Sequence, residues 1–342
     1  MLWERGTYKE IEPFKTTLKK CYLKFELRGN RLKVKWTLIK FKEDNYLLIK
    51  ENDGIKLYND INEFNTSIKS NKTMEEIRGD IKLTNPDKVM YTRPKITKQD
   101  IMNYYKKVSK YMLPYVKDRY LSVVRAPKGN SGEIFFKKHF KENSNLTKKK
   151  NYYYITDEKG ILSEVQMNSI EFHVGGSNIN NENYPNIMVF DLDPDEKLSI
   201  TKVRQGVKDL KEILDSLKLK SYLKTSGGKG YHIVVPLKSG ITWKKFERIS
   251  SNLAKIMEEK YPDKYTTNMS KSKRKWKIFI DYLRNKKGST SVAPYSLRIR
   301  KKASVSMPIK WSELDTIKPN EITIDIALKR LKRKDPWADF FD

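Results

Sequence analysis

Two aspartates one residue apart close the apolar run in IMVFDLDPDEK, residues 187–197. On a strand, side chains at i and i+2 point to the same face, so Asp191 and Asp193 would stand side by side. Carboxylates that close repel unless a cation sits between them. A pair of divalent ions bridged by such carboxylates is the working arrangement of nucleotidyl transfer: one ion activates the attacking 3′-hydroxyl and the other supports the leaving pyrophosphate. Asp281, which ends the apolar KIFID, is a natural third ligand. The chain has one cysteine, Cys21, and three histidines, His139, His173 and His232, too few for most zinc sites. If a metal binds here, carboxylates must therefore carry most of the coordination, which suits Mg²⁺ or Mn²⁺. Taken alone, DLDP is also readable as a strand closed by turn-forming residues.

A second group is SGGKGYHI, residues 226–233. Gly227, Gly228 and Gly230 let the backbone approach a ligand closely, and Lys229 supplies charge for a phosphate. Ser226 and His232 can hydrogen-bond a triphosphate. The spacing is neither that of a Walker loop nor G-x-G-x-x-G. In isolation the stretch also reads as a glycine-rich hairpin turn.

The elements that must position these groups read as an α+β core. NIMVFDLDP is a near-continuous apolar strand of the kind buried on both faces. SYLKTS and GYHIVVPL make a strand–turn–strand around GGKG, and KIFIDYL makes another strand. Helical spacing predicts helices over 97–116, with Thr97 as N-cap, over 200–220 and over 243–261. YLSVVRAP (120–127) reads as a strand, and the lysine-rich 137–151 as a loop. Residues 21–50 read as three strands, and 65–80 as a linker with a short helical turn.

Charge narrows the partners. Lysine and arginine number 71 against 42 acidic residues, a formal net charge of +29. Compositional bias toward lysine raises glutamate with it, so the surplus points to a polyanion whose phosphates release counterions on binding; on charge alone a membrane surface would serve equally well. No run of eighteen apolar residues and no signal peptide is visible, so the expectation is a cytoplasmic protein with no membrane partner.

The order DLDP, SGGKGYH, then a strand ending in aspartate resembles the archaeo-eukaryotic primase superfamily, and within it the polymerase domain of bacterial ligase D. The resemblance spans roughly residues 81–342. It includes KLTNPDKVMYTRPKITKQDIMNYY, LSVVRAPKGNSGEIFFKKHF, IEFHVGGS, FIDYLRNKKGSTSVAPYSLRIRKKASVSMPIKWSEL and the closing DPWADFF. It implies an RRM-like mixed sheet with flanking helices. It also implies a template-dependent polymerase that fills gaps at DNA double-strand break ends in non-homologous end joining. Position by position, it assigns Asp191, Asp193 and Asp281 to two Mn²⁺ or Mg²⁺ ions. Ser226, Lys229 and His232 would hold the incoming NTP or dNTP, with His173, Arg274, Arg298 and Arg300 on its phosphates. Lys88 and Lys98 would grip a 5′-phosphate across the gap, and Phe135 and Phe136 would pack on template bases. Implied partners are DNA ends or gapped DNA, a DNA ligase and an end-binding protein.

Residues 1–78 resemble the second half of ligase D's 3′-phosphoesterase domain, through LWERGTYK, CYLKFELRGNRLKVKWTLIK, YLLIKENDG and SNKTMEEI. The half that carries that family's metal-binding histidines has no counterpart, and no histidine precedes His139, so no phosphoesterase activity is expected. Two domains follow, 1–78 and 79–342. Rival readings are a primase that starts chains de novo, and a DNA-end-binding scaffold with vestigial catalysis.

Overall fold

The computed structural model describes residues 2, 4–42, 45–52, 54, 66–71, 81–138, 145–238 and 240–342. The chain divides into two units, Met1–Lys82 and Leu83–Asp342. The boundary expected at 78/79 and most of the expected linker lie outside the described residues, as does His139.

The first unit is an antiparallel sheet in the order β1 (Gly6–Glu10), β2 (Tyr22–Gly29), β3 (Lys35–Lys42) and β4 (Asn45–Lys50). A single helical turn, α1 (Phe14–Thr17), links β1 to β2. Alternation within 21–50 produces β2 to β4. It buries Leu32, Val34 and Trp36, with Phe25 and Leu27 packed against them. β1 is exposed along its whole length and has no apolar alternation to announce it; pairing from Gly6↔Gly29 to Glu10↔Phe25 holds it in place.

In chain order the second unit begins with β5 (Val89–Tyr91), β6 (Ile96–Thr97), α2 (Lys98–Val116), β7 (Arg119–Arg125) and β8 (Phe135–Lys137). It continues through β9 (Thr147–Lys149), β10 (Tyr152–Tyr154), α3 (Glu158–Gln166), β11 (Ser169–Asn178), β12 (Ile187–Pro194), α4 (Ile200–Ser216), β13 (Tyr222–Thr225) and β14 (Tyr231–Pro236). It ends with α5 (Trp243–Lys260), β15 (Tyr265–Thr266), β16 (Ile278–Asp281), β17 (Ser291–Val292), β18 (Pro308–Ile309) and α6 (Ile324–Arg330).

These strands form two main sheets. One runs β17-β11-β7-β10-β9, with β8 also pairing β7; the other runs β15-β16-β12-β14-β13-β18. The loop expected over 137–151 is corrected at its end: Thr147–Lys149 is β9, because the lysines face solvent while the backbone pairs with Tyr152–Tyr154. The Thr97 N-cap expectation is met by a capping box, in which Asp100 N–H donates to Thr97 Oγ1 and Thr97 N–H donates to Asp100 Oδ2. β12 is central, flanked by β14 and β16, which explains why Met188, Val189, Phe190 and Leu192 are all buried. α4 packs on β12 and β14, and β11 of the other sheet meets β12.

Candidate active site

Strand register lines up one row of polar residues across four strands of the second sheet. Asp191 on β12 lies opposite Asp281 on β16 and opposite His232 on β14; His232 lies opposite Lys224 on β13. Directly opposed residues share a face, so Asp281, Asp191, His232 and Lys224 stand side by side. Asp193, two residues beyond Asp191, shares that face. His232 Nε2 is 3.4 Å from Asp191 Oδ1, and Lys224 Nζ is 3.0 Å from His232 Nδ1.

The electrostatics separate the three carboxylates. Burial raises the Asp191 pKa, yet His232, Arg284 and Arg298 outweigh it and hold the group well below the usual carboxylate range. Burial raises Asp193 and Asp281 as well, and the charge of Asp191 raises both further. Arginines oppose that rise. Arg274 Nη1 is 3.2 Å from Asp193 Oδ2, and Arg284 Nε is 3.1 Å from Asp281 Oδ2. Arg274 is held in turn by a cation–π contact at 3.8 Å on Phe279 and by donation to Met269 O. Burial pulls the His232 pKa down to about 4, with Lys224 adding to the effect and Asp191 opposing it.

An all-oxygen donor set with two carboxylates raised by burial and by the charge of a third fits hard divalent cations. Among the described residues, no three histidine, cysteine or acidic side chains already converge on one point as a finished cage. Asp191, Asp193 and Asp281 are the groups that would hold the ions.

The SGGKG turn joins β13 to β14. Ser226 Oγ accepts from Gly228 N–H at 3.0 Å and Gly230 N–H at 3.3 Å, which closes the loop and leaves the hydroxyl proton free to donate. Gly227 has φ +67°, and a Cβ there would come within 2.5 Å of Arg298 Cγ. Gly230 is set by close approach instead: a Cβ would lie 2.1 Å from Leu192 O. Lys229 is exposed and paired with Glu196 at 2.5 Å.

β11 of the other sheet supplies the facing groups. His173 Nε2 is 2.9 Å from Glu171 Oε2, Arg298 Nε is 3.0 Å from the same oxygen, and Ile299 N–H donates to Glu171 Oε1 at 2.7 Å. Burial raises the Glu171 pKa, but these three partners bring it down to about 2. Arg298 also donates to Ser226 O at 2.8 Å, tying β11 to the glycine loop. Phe135 and Phe136 on β8 are 38 % and 65 % exposed, and the Phe136 ring lies edge-on to His173 at 5.5 Å. These are solvent-facing aromatics, not core.

Other expected residues stand apart from this row. Arg300 is exposed, in the turn beyond Arg298. Lys88 is half-buried, with its carbonyl accepting from Lys98 N–H. Lys98 is only 2 % exposed, and its ammonium already donates to Thr84 O, Gln166 O and Gln166 Oε1. A direct grip by Lys98 on a 5′-phosphate competes with those three bonds. Sequence reasoning missed Glu171, Lys224 and Arg284. Glu171 could have been found from its place in IEFH, two residues from His173; Lys224 and Arg284 gave no signal in a chain this rich in basic residues.

Comparison with known proteins agrees with this geometry. Residues 97–337 match the model of the LigD primase-polymerase domain family. The multifunctional non-homologous end joining protein LigD of Pseudomonas aeruginosa is 32 % identical over 284 residues, 76 % of this chain and 33 % of that protein. The bifunctional LigD of Bacillus subtilis is 30 % identical, covering 76 % of this chain and 44 % of its own length. The chain thus spans a third to under a half of these relatives. The polymerase domain of Mycobacterium tuberculosis ligase D, solved in complex with DNA, superposes with a TM-score of 0.68 at 28 % identity, over 74 % of this chain and 95 % of that one. The α+β expectation is met, and the chain belongs to the LigD primase-polymerase family of nucleotidyltransferases.

Proposed function

We propose that this chain is a template-dependent polymerase that adds ribo- or deoxyribonucleotides to a 3′ end, filling short gaps at broken DNA ends during non-homologous end joining. The observation that carries the reading is the Asp281–Asp191–His232 row on three adjacent strands, with Asp193 on the same face. Asp191, Asp193 and Asp281 would hold two Mg²⁺ or Mn²⁺ ions, which when bound supply Lewis-acid activation of the 3′-hydroxyl and support for the pyrophosphate. Ser226, with its free hydroxyl proton, Lys229 and His232 would hold the triphosphate from one sheet. His173 would approach it from the other sheet, and Arg298, Arg274 and Arg300 would add phosphate contacts.

The exposed rings of Phe135 and Phe136 suit stacking on template bases. Lys88 would take the 5′-phosphate, with the buried charge of Lys98 adding to the local field. A surplus of 29 positive charges supplies the general attraction to DNA. We assign the first unit no phosphoesterase chemistry, since it contains no histidine, and expect a DNA ligase and an end-binding protein to complete repair.

The test is extension of a primer across a short gap, comparing NTPs with dNTPs, Mn²⁺ with Mg²⁺, and a downstream 5′-phosphate with a 5′-hydroxyl. Addition of a nucleotide or two, stimulated by the 5′-phosphate and greatest with NTPs and Mn²⁺, is the expected result. Extension indifferent to the 5′-phosphate contradicts the gap-filling assignment. Chain initiation without a primer would instead favour a primase.

A further inference from the structure

We propose that Lys224 is a positioning residue that fixes His232 as the Nε2–H tautomer, so that His232 presents a proton donor to the catalytic face. Lys224 sits on β13 at the end of the row, 1 % exposed, with no carboxylate among its hydrogen-bond partners. Its Nζ lies 3.0 Å from Val292 O, 2.8 Å from Ser306 Oγ and 3.0 Å from His232 Nδ1.

With Lys224 as the ammonium, three donors and no acceptor, the partners leave one consistent arrangement. Val292 O can only accept. Ser306 Oγ donates its own proton to Thr225 O at 3.0 Å, so toward Lys224 it too accepts. On the far side of the imidazole, Nε2 is 3.4 Å from Asp191 Oδ1, and a carboxylate oxygen offers only lone pairs. A neutral ring carries one N–H. Placed on Nδ1, it would set the Nε2 lone pair against the Asp191 carboxylate. Placed on Nε2, it faces that carboxylate, and Nδ1 accepts the third N–H of the Lys224 ammonium. The second arrangement sets a donor against an acceptor at every step of the chain Thr225–Ser306–Lys224–His232–Asp191.

Burial pushes Lys224 far below the ordinary lysine pKa, with the Arg298 charge adding to it, while Asp191 pulls the other way. Three well-placed acceptors are what keep a buried ammonium tolerable. The functional consequence rests on the polymerase reading: a triphosphate oxygen needs a donor at Nε2 and would be repelled by a lone pair. The tautomer itself does not depend on that reading.

Histidine-labelled protein has only three imidazoles to resolve, and His232→Asn identifies the relevant signals. Long-range proton–nitrogen correlation spectra should show a protonated Nε2 and a bare Nδ1 in the wild type. A protonated Nδ1 overturns the proposal without need of any Lys224 variant. In Lys224→Met the signals should move toward a mixed tautomer, with the nucleotide KM rising about tenfold and kcat falling less. Lys224→Gln, whose amide can still donate to Nδ1, should recover part of both. An unchanged tautomer in Lys224→Met would also overturn it. A wild type with the Nε2–H tautomer but no nucleotide incorporation would sink the polymerase reading and leave this assignment standing.

Discussion

The sheet of the first unit and the β12-centred sheet of the second are both largely antiparallel, yet they treat polar residues in opposite ways. On β2, Lys24 and Glu26 face water and make ion pairs whose members are 37–57 % exposed, with Glu12 and Arg28. Such pairs are worth about 0–1 kcal/mol and place no demand on their neighbours. On β14 and β13, His232 and Lys224 are 4 % and 1 % exposed, so each N–H must meet an acceptor and each lone pair a donor. A buried polar row is costly unless fully matched, and the matching fixes protonation and orientation. The first sheet shows how a strand tolerates charge; the second shows how a strand uses it.

The strongest way to break that contrast is Gly230→Ala. Its Cβ would lie 2.1 Å from Leu192 O, between Asp191 and Asp193 on β12. The strand end must move, and we expect at least a hundredfold loss of incorporation with a stability loss of about 4 kcal/mol, read by extension assay and urea titration. Trp36→Ala empties the small core of the first unit instead. It should cost that unit about 3–5 kcal/mol in its unfolding transition while leaving incorporation within about twofold.

Acid sharpens the comparison. Because the His232 pKa falls from 6.5 to about 4 on folding, the unfolded chain takes up that proton first as pH drops. Stability contributed at neutral pH is therefore lost between those values, by about 3 kcal/mol at most. His232→Asn should flatten that slope in urea midpoints measured across the window; the first unit, without histidine, lacks this contribution. The smallest effect is expected from Phe136→Ala. The ring is 65 % exposed, so thermal stability should barely change while gapped-DNA affinity falls by about 1–3 kcal/mol, read by fluorescence anisotropy.

How much was legible follows the same division. The apolar run before Asp191 announced a doubly buried strand, and β12 is the strand it required. Periodicity in α2, α4 and α5 was visible because each buries one stripe. β1 and β9 were not visible, since their side chains are exposed and only backbone pairing makes them strands. In the site, the acidic residues stood out because carboxylates closing apolar strands are unusual, whereas Lys224 and Arg284 were camouflaged among 71 basic residues. Lys98 misled for the converse reason: a lysine reads as solvated, and only the fold reveals that this one is capped by three acceptors.

The central claim is that the carboxylate row performs the chemistry, and Asp191→Asn tests it most directly. The amide keeps the side chain's size but removes the charge that His232 faces. With gapped, 5′-phosphorylated DNA, Mn²⁺ and NTPs, the account predicts wild-type DNA affinity with incorporation reduced at least a thousandfold, about 4 kcal/mol in the barrier. Incorporation within tenfold of wild type would contradict it and move the reaction away from this row.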